Sequence, residues 1–293
     1  MPLTPGQSIH PDAAIGAVEL TVVDVDRMTR FYERAIGLRL LERNDDGARL
    51  GVEPGAVLVA LVADPTAPPP PSRSTGLFHL AVLVPGRPEL ARALGRVARA
   101  GWSFTGASDH LVSEALYLRD PEGNGIEIYR DRPRDEWRRL DGDIEMATLP
   151  LDLAGLMAET PDDPDAGMPA GTRIGHVHLQ VADLAAAEAF YHGVLGFDVT
   201  VRSYPGALFV SAGGYHHHVG LNTWAGEAIP APPPGARGLR AFTVTLPGDE
   251  ELSRVAERVR AAGLEAEARD GALLVADPSA NRIRLQAQSP PRS

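Results

Sequence analysis

Apolar residues recur at every second position in Val18, Leu20 and Val22, and again in Val177, Leu179 and Val181. That is the period of a strand with one buried face. After the second run, Asp183 precedes LAAAEAFYHGVLG, where Leu184, Ala187, Phe190, Tyr191 and Val194 fall at helical spacing and Gly196 stands where the helix should end. The pattern predicts a helix capped by the Asp183 side chain and stopped at a glycine. Short apolar stretches punctuated by Gly, Asn and Pro follow, and they predict further short strands.

The same pattern occurs more than once. Residues 15–43, IGAVELTVVDVDRMTRFYERAIGLRLLER, match residues 174–202, IGHVHLQVADLAAAEAFYHGVLGFDVTVR. Residues 75–101 match residues 237–263, and the tail DPEGNGIEI (120–128) answers DPSANRIRL (277–285). The chain therefore reads as four modules in two unlike halves. Two Pro-rich loops, ADPTAPPPPSRST and IPAPPPGARG, separate the modules within each half and are expected to be stiff, extended spacers. The stretch from about Arg130 to Thr172, with a short helix expected at DRPRDEWRRL, joins the halves.

A chain of 293 residues with 44% hydrophobic content can form two domains with cores of their own. The formal charge of −11 argues against a nucleic-acid partner, which calls for a basic face. With no cysteine, disulfides and thiolate ligands are excluded, and any metal must be held by nitrogen and oxygen. The N-terminus lacks the pattern of a secretory signal, and the longest apolar run, around Ala56 to Ala63, is too short to span a bilayer. These features lead to the expectation of a soluble cytoplasmic protein with a small ligand, free of membrane association and compatible with a homo-oligomer.

The repeat and its DPxGNxIE-like tails resemble the vicinal oxygen chelate superfamily, which contains glyoxalase I, bleomycin-resistance proteins and extradiol dioxygenases. TGLFHLAVLVP, ASDHLVSEALYLRDPEGNGIEIYRDRP, IGHVHLQVADL and SAGGYHHHVGLNTW are similar to its catechol 2,3-dioxygenase and hydroquinone-cleaving branch. The resemblance implies an α+β fold of four βαβββ modules forming two open β-barrel domains. These would be an N-terminal domain over 1–133 (modules 15–64 and 75–133), a connection over 134–172, and a C-terminal domain over 173–288 (modules 173–224 and 237–288).

In that family, metal ligands come from the first and last strands of the modules. The resemblance places His79 and Glu127 in module two and His176 in module three, whereas Ala17, Ala241 and Arg284 fill the corresponding places in modules one and four. Pairing in sequence order leaves each barrel with a partial set. Pairing modules two and three unites His79, His176 and Glu127, the two-His, one-carboxylate arrangement that leaves positions open on Fe(II) for substrate and dioxygen. Arg284 is expected to pair with a carboxylate in the other barrel.

The implied activity is extradiol cleavage of a catechol or hydroquinone-type ring, with a small aromatic diol and O2 as substrates and Fe(2+) as the metal, Mn(2+), Zn(2+) and Ni(2+) being alternatives. His218 is the first candidate for taking the phenolic proton, followed by His178 and His110. Strand alternation would put His216 and His218 on one face and His217 on the other. Two other functions suit the same scaffold. One is a glyoxalase-like metal-dependent isomerase or lyase, favoured if His218 were a fourth ligand; the other is a drug-binding protein of the bleomycin-resistance kind.

Overall fold

The computed structural model describes residues 7–52, 56–161, 163 and 166–288. Each module has the expected order of strand, helix and three strands. Module one comprises β1 (Ala14–Val22), α1 (Val25–Phe31), β2 (Arg39–Asn44), β3 (Gly47–Gly51) and β4 (Val57–Ala63). Module two follows with β5 (Gly76–Leu83), α2 (Arg87–Arg99), β6 (Phe104–Asp109), β7 (Ser113–Arg119) and β8 (Gly125–Asp131). The connection carries a 3-10 turn at Arg134–Glu136, the short strands β9 (Arg139–Leu140), β10 (Asp143–Ile144) and β11 (Leu149–Pro150), and α3 (Leu153–Ala158). Module three holds β12 (Arg173–Gln180), α4 (Leu184–Glu188), β13 (Asp198–Val201), β14 (Ala207–Ser211) and β15 (Val219–Asn222). Module four ends the fold with β16 (Gly238–Leu246), α5 (Asp249–Ala261), β17 (Ala266–Arg269), β18 (Ala272–Ala276) and β19 (Arg282–Ala287).

The Asp183 side chain accepts the backbone N–H groups of Ala185 and Ala186, as a helix cap should, and Gly196 adopts φ +89°. Between them the α-helical turns of α4 widen into a π-helical segment at Ala189–Val194, and module one does the same at Tyr32–Ile36. Each widened segment presents a buried tyrosine. Tyr32 donates to Asp120 (3.2 Å) and Tyr191 to Asp277 (3.0 Å), at the first residue of each DPxxN tail. Asp120 also accepts the backbone N–H groups of Glu122 and Asn124, and Asp277 those of Ser279 and Asn281. The F-Y pair and the DPxxN tail are thus two ends of one buried joint, made once in each half.

The strands combine differently. One mixed sheet runs β11-β6-β7-β8-β5-β12-β15-β14-β13 and joins modules two and three, while the other runs β17-β18-β19-β16-β1-β4-β3-β2 and joins modules four and one. Their central pairs are antiparallel, β5 with β12 and β1 with β16. The division into 1–133 and 173–288 therefore follows the helical joints but not the sheets, each of which draws on both halves. The reason lies in the edges: β5 and β12 each have one side taken by a parallel partner from their own module, β8 and β15, and pair with one another on the other side. Leu80, Val82, Ile126, Ile128, Val177 and Leu179 fill the core beneath this sheet and are fully buried. Side chains at the alternate positions rise from its other face.

Candidate active site

That other face carries the candidate ligands. Register pairs His178 with His79 and His176 with Ala81 across β12 and β5, Ala81 with Glu127 across β5 and β8, and Glu127 with Tyr117 across β8 and β7. Four strands thus present polar side chains on one surface, with aliphatic neighbours holding each strand down from below. Close packing of β8 on β5 depends on Gly125, where a Cβ would lie 2.0 Å from the Phe78 carbonyl oxygen and 3.1 Å from the His79 Cβ.

His79, Glu127 and His176 come together, all buried, with one ligand-capable atom from each inside a 4.8 Å cluster. His79 Nε2 lies 2.9 Å and His176 Nε2 3.2 Å from the same oxygen, Glu127 Oε2, and the two nitrogens are 3.4 Å apart. Burial pushes the Glu127 carboxyl up, but His176 and His79 outweigh it and hold the group well below the usual carboxylate range. Burial lowers His176 to about 4 in spite of Glu127. An ionised carboxylate with two imidazoles, at least one of them neutral, is a donor set suited to a divalent metal. Each ring nitrogen can donate an N–H to Glu127 Oε2 or turn its lone pair to a cation held beside it, so the residues present fit a metal.

The trio lies at the base of a cavity of about 290 Å³. Phe78, Tyr204, Phe209 and Trp224 supply aromatic walls, and Arg119 is at the rim. Met146 and Thr148 of the connection also line it, so this segment, expected only to join the halves, covers the site. His178 is packed among Phe78, Phe209 and Trp224, with ring centroids at 5.2–5.6 Å, and its buried Nε2 has no hydrogen-bond partner. Burial holds this ring well below the usual imidazole range. His110 lies at the cavity wall, with Nδ1 2.6 Å from the Ala147 carbonyl and Nε2 2.6 Å from the Tyr117 hydroxyl. Burial, with the charge of Glu127, keeps the Tyr117 phenol protonated far above its ordinary value.

His218 corrects the sequence-based expectation. It does not line the cavity; its Nδ1 faces Ser211 Oγ (3.0 Å) and accepts the backbone N–H of Ala212 (3.1 Å), and burial lowers it to about 3. His216–His218 lie outside any strand, since β14 ends at Ser211 and the chain turns through Gly213 and Gly214, both at positive φ, before β15 starts at Val219; His216 and His218 still part from His217, but it is the His217 side that meets the cavity. The cavity is lined by His217 instead, whose ring centroid is 4.1 Å from that of His176. Behind it, His217 Nδ1 lies 2.7 Å from His216 Nδ1, and His216 Nε2 lies 2.9 Å from Asp131 Oδ1. Sequence reasoning also passed over Tyr117, although its position opposite Glu127 follows from the hairpin joining β7 to β8.

Comparison with known proteins identifies the family. The Glyoxalase/Bleomycin resistance protein/Dioxygenase superfamily matches residues 14–128 and 173–285. A catechol-2,3-dioxygenase of Bacillus subtilis (strain 168) is 48% identical over 275 residues, covering 92% of this chain and 96% of that protein. A biphenyl-2,3-diol 1,2-dioxygenase of Pseudomonas sp. (strain KKS102) is 25% identical, covering 85% of this chain and 78% of its own. Glyoxalase I from Zea mays shares the fold, with a TM-score of 0.57 at 16% identity over 94% of this chain and 92% of that one. Among the described residues no helix is long and apolar enough to cross a membrane. The chain belongs to the glyoxalase, bleomycin resistance protein and dioxygenase superfamily.

Proposed function

We propose that the protein is a metal-dependent extradiol dioxygenase of the catechol 2,3-type, with His79, His176 and Glu127 holding Fe(II). The observation that carries this reading is the convergence of these three side chains, from two halves of the chain, at the base of an aromatic-walled cavity. The three ligand atoms, 2.9, 3.2 and 3.4 Å apart, are close enough to be shared by one divalent cation. With His218 tied into its turn, no fourth histidine from that position closes the set, which favours a site with room for both diol and dioxygen over a four-ligand isomerase.

Held by His79, Glu127 and His176, the metal would supply the activation of diol and dioxygen for a cleavage that opens the ring beside a hydroxylated carbon and puts both oxygen atoms into the product. The chain's own residues prepare the diol. With Asp131 ionised and His216 neutral, the carboxylate accepts His216 Nε2–H, which leaves His216 Nδ1 as an acceptor for His217 Nδ1–H. His217 Nε2 is then left with a free lone pair, suited to taking a phenolic proton. In the same way, His110 Nδ1–H donates to Ala147 and His110 Nε2 accepts the Tyr117 hydroxyl, leaving the Tyr117 oxygen as an acceptor at the cavity. His178 offers an unpartnered Nε2 for a substrate oxygen, and Phe78, Phe209 and Trp224 give the ring apolar and edge-on contacts.

The test is anaerobic reconstitution with Fe(II), Mn(II) or Zn(II), followed by oxygen uptake with a panel of catechols and hydroquinones. One O2 consumed per diol, with a yellow ring-opened product from the iron form, is expected. Absence of uptake with every metal and diol, together with isomerisation of a thiol adduct, would replace the reading with a glyoxalase-like one.

A further inference from the structure

A second cavity, of about 440 Å³, lies between the two sheets where equivalent segments of the two halves face one another. Thr21 of module one lines it with Gln180 of module three, and Leu77 of module two with Leu239 of module four. Both Pro-rich loops form its walls and are tied together by Thr75 N–H to the Pro230 carbonyl and Arg237 N–H to the Pro68 carbonyl, each at 3.0 Å. The backbone here is nearly symmetric, but the charges are not. Arg237, Arg240 and Arg282 all come from module four, where module two has Thr75, Phe78 and Gly125. Arg119 from the end of β7 makes a fourth. The same fold is built in the other half without arginine at those three places, so their charge is not a requirement of the scaffold.

Among the described residues, none of these four arginines has a carboxylate partner within ion-pair distance. Among the described residues the Arg119 side chain donates to the Gly123 carbonyl alone, and Arg237 Nε is buried with no hydrogen-bond partner. The acid in the cleft, Glu122, is already engaged by the backbone N–H groups of Val23 and Asp24. Four guanidinium groups left unpaired around one cavity, in a chain of net charge −11, repel one another and attract an anion.

We propose that this cleft binds a small polyvalent oxyanion, a di- or tricarboxylate or a phosphate, by forked hydrogen bonds from Arg237 and Arg282 with support from Arg240 and Arg119. The site is separate from the metal-ligand trio and does not depend on the ring-cleaving reading. Arg119 also lines the first cavity, so the two cavities share one side chain.

The test is calorimetric titration of the metal-loaded full chain with tricarballylate and, separately, with inorganic phosphate, each at constant ionic strength held with sodium chloride. Saturable binding at one site per chain is expected for at least one of them, and the stronger arm identifies a carboxylate or a phosphate source. Arg237→Gln and Arg282→Gln should each weaken binding at least tenfold, with metal content and melting temperature kept at the parent's. Should either variant lose its fold, the exposed Arg240→Gln provides the same comparison, with a smaller loss. Absence of saturable binding for both anions, or folded variants that bind as the parent does, would overturn the proposal.

Discussion

The two sheets are built alike and equipped oppositely. Where the sheet of modules two and three has His176, His178 and Glu127, that of modules one and four has Ala17, Glu19 and Arg284. In the second sheet Arg284 Nε lies 3.3 Å from Glu19 Oε1, so the charges placed on the inward face cancel one another directly. In the first, the buried Glu127 carboxylate meets two imidazoles that can donate to it or join it as ligands, the set that fits a metal. A buried charge requires a partner in either case. What differs is the kind of partner: a fixed guanidinium in the second sheet, and in the first a pair of imidazoles able to share the carboxylate with a metal.

The sharpest way to break this contrast is to carry the second sheet's residue into the first. Glu127→Arg should remove bound metal and lower ring-cleaving turnover by about 10³-fold or more, as should the milder Glu127→Gln to a lesser degree. Metal analysis beside oxygen uptake checks it, and turnover within tenfold of the parent in both variants would show that Glu127 is no ligand. The unchanged protein should hold one equivalent of metal per chain, since Ala17, Ala241 and Arg284 offer none. Two tightly held equivalents would contradict that.

Neighbouring histidines give the next largest effect. His217→Ala should lower kcat by about 10²- to 10⁴-fold with metal retained, the range for loss of a general base, and Asp131→Asn should lower it less through the His216 bridge. His218→Ala should leave kcat within a few fold and cost about 1–3 kcal/mol of stability, because the Ala212 N–H loses its buried acceptor. The reverse result for the two alanine variants would restore His218 as the candidate for taking the proton.

Acid should act mainly on the first sheet. Burial lowers His176 to about 4 and His218 to about 3, and lowers His178 and His217 well below 6.5. Between those values and 6.5 the unfolded chain binds more protons than the folded one, so the stability they contribute is present above pH 6.5 and is lost as pH falls. Burial raises Asp120 to about 6 and raises Asp277, which act in the opposite sense below pH 6. Four groups against two leave a net loss. The melting temperature of the chelator-treated protein should fall from pH 7.5 to 5.0, with a shallower slope in His218→Gln; a flat profile would show the histidines are not buried as described.

The smallest effect belongs to the second sheet. Glu19 and Arg284 keep about a fifth of their side-chain surface in solvent, and Arg284→Met should change stability by about 0.5 kcal/mol without altering turnover. A loss of activity there would mean the second sheet takes part in catalysis.

Strand period, helix caps and the positions of His79, Glu127 and His176 were legible because each rests on a short, regular stretch of sequence. The pairing of modules two and three followed from which positions held ligands. His217 was not legible, since alternation sets it apart from His216 and His218 but cannot say which side meets the cavity in a segment that follows two glycines at positive φ and lies outside any strand. Nor were Met146 and Thr148, whose place over the cavity depends on β11 pairing with β6, a contact no periodicity announces. Tyr117 could have been found by pairing the strands on either side of DPEGNG.

The crossing of sheets between halves also bears on synthesis. Register partners such as Glu19 and Ala241 emerge from the ribosome far apart in time. Until module four is made, β1 has a bare edge where β16 will pair, and β5 waits for β12. Nascent chains with such unpaired edges fold slowly and invite association with one another. Production of this protein should therefore respond to growth temperature and to chaperone supply more than its final stability would suggest.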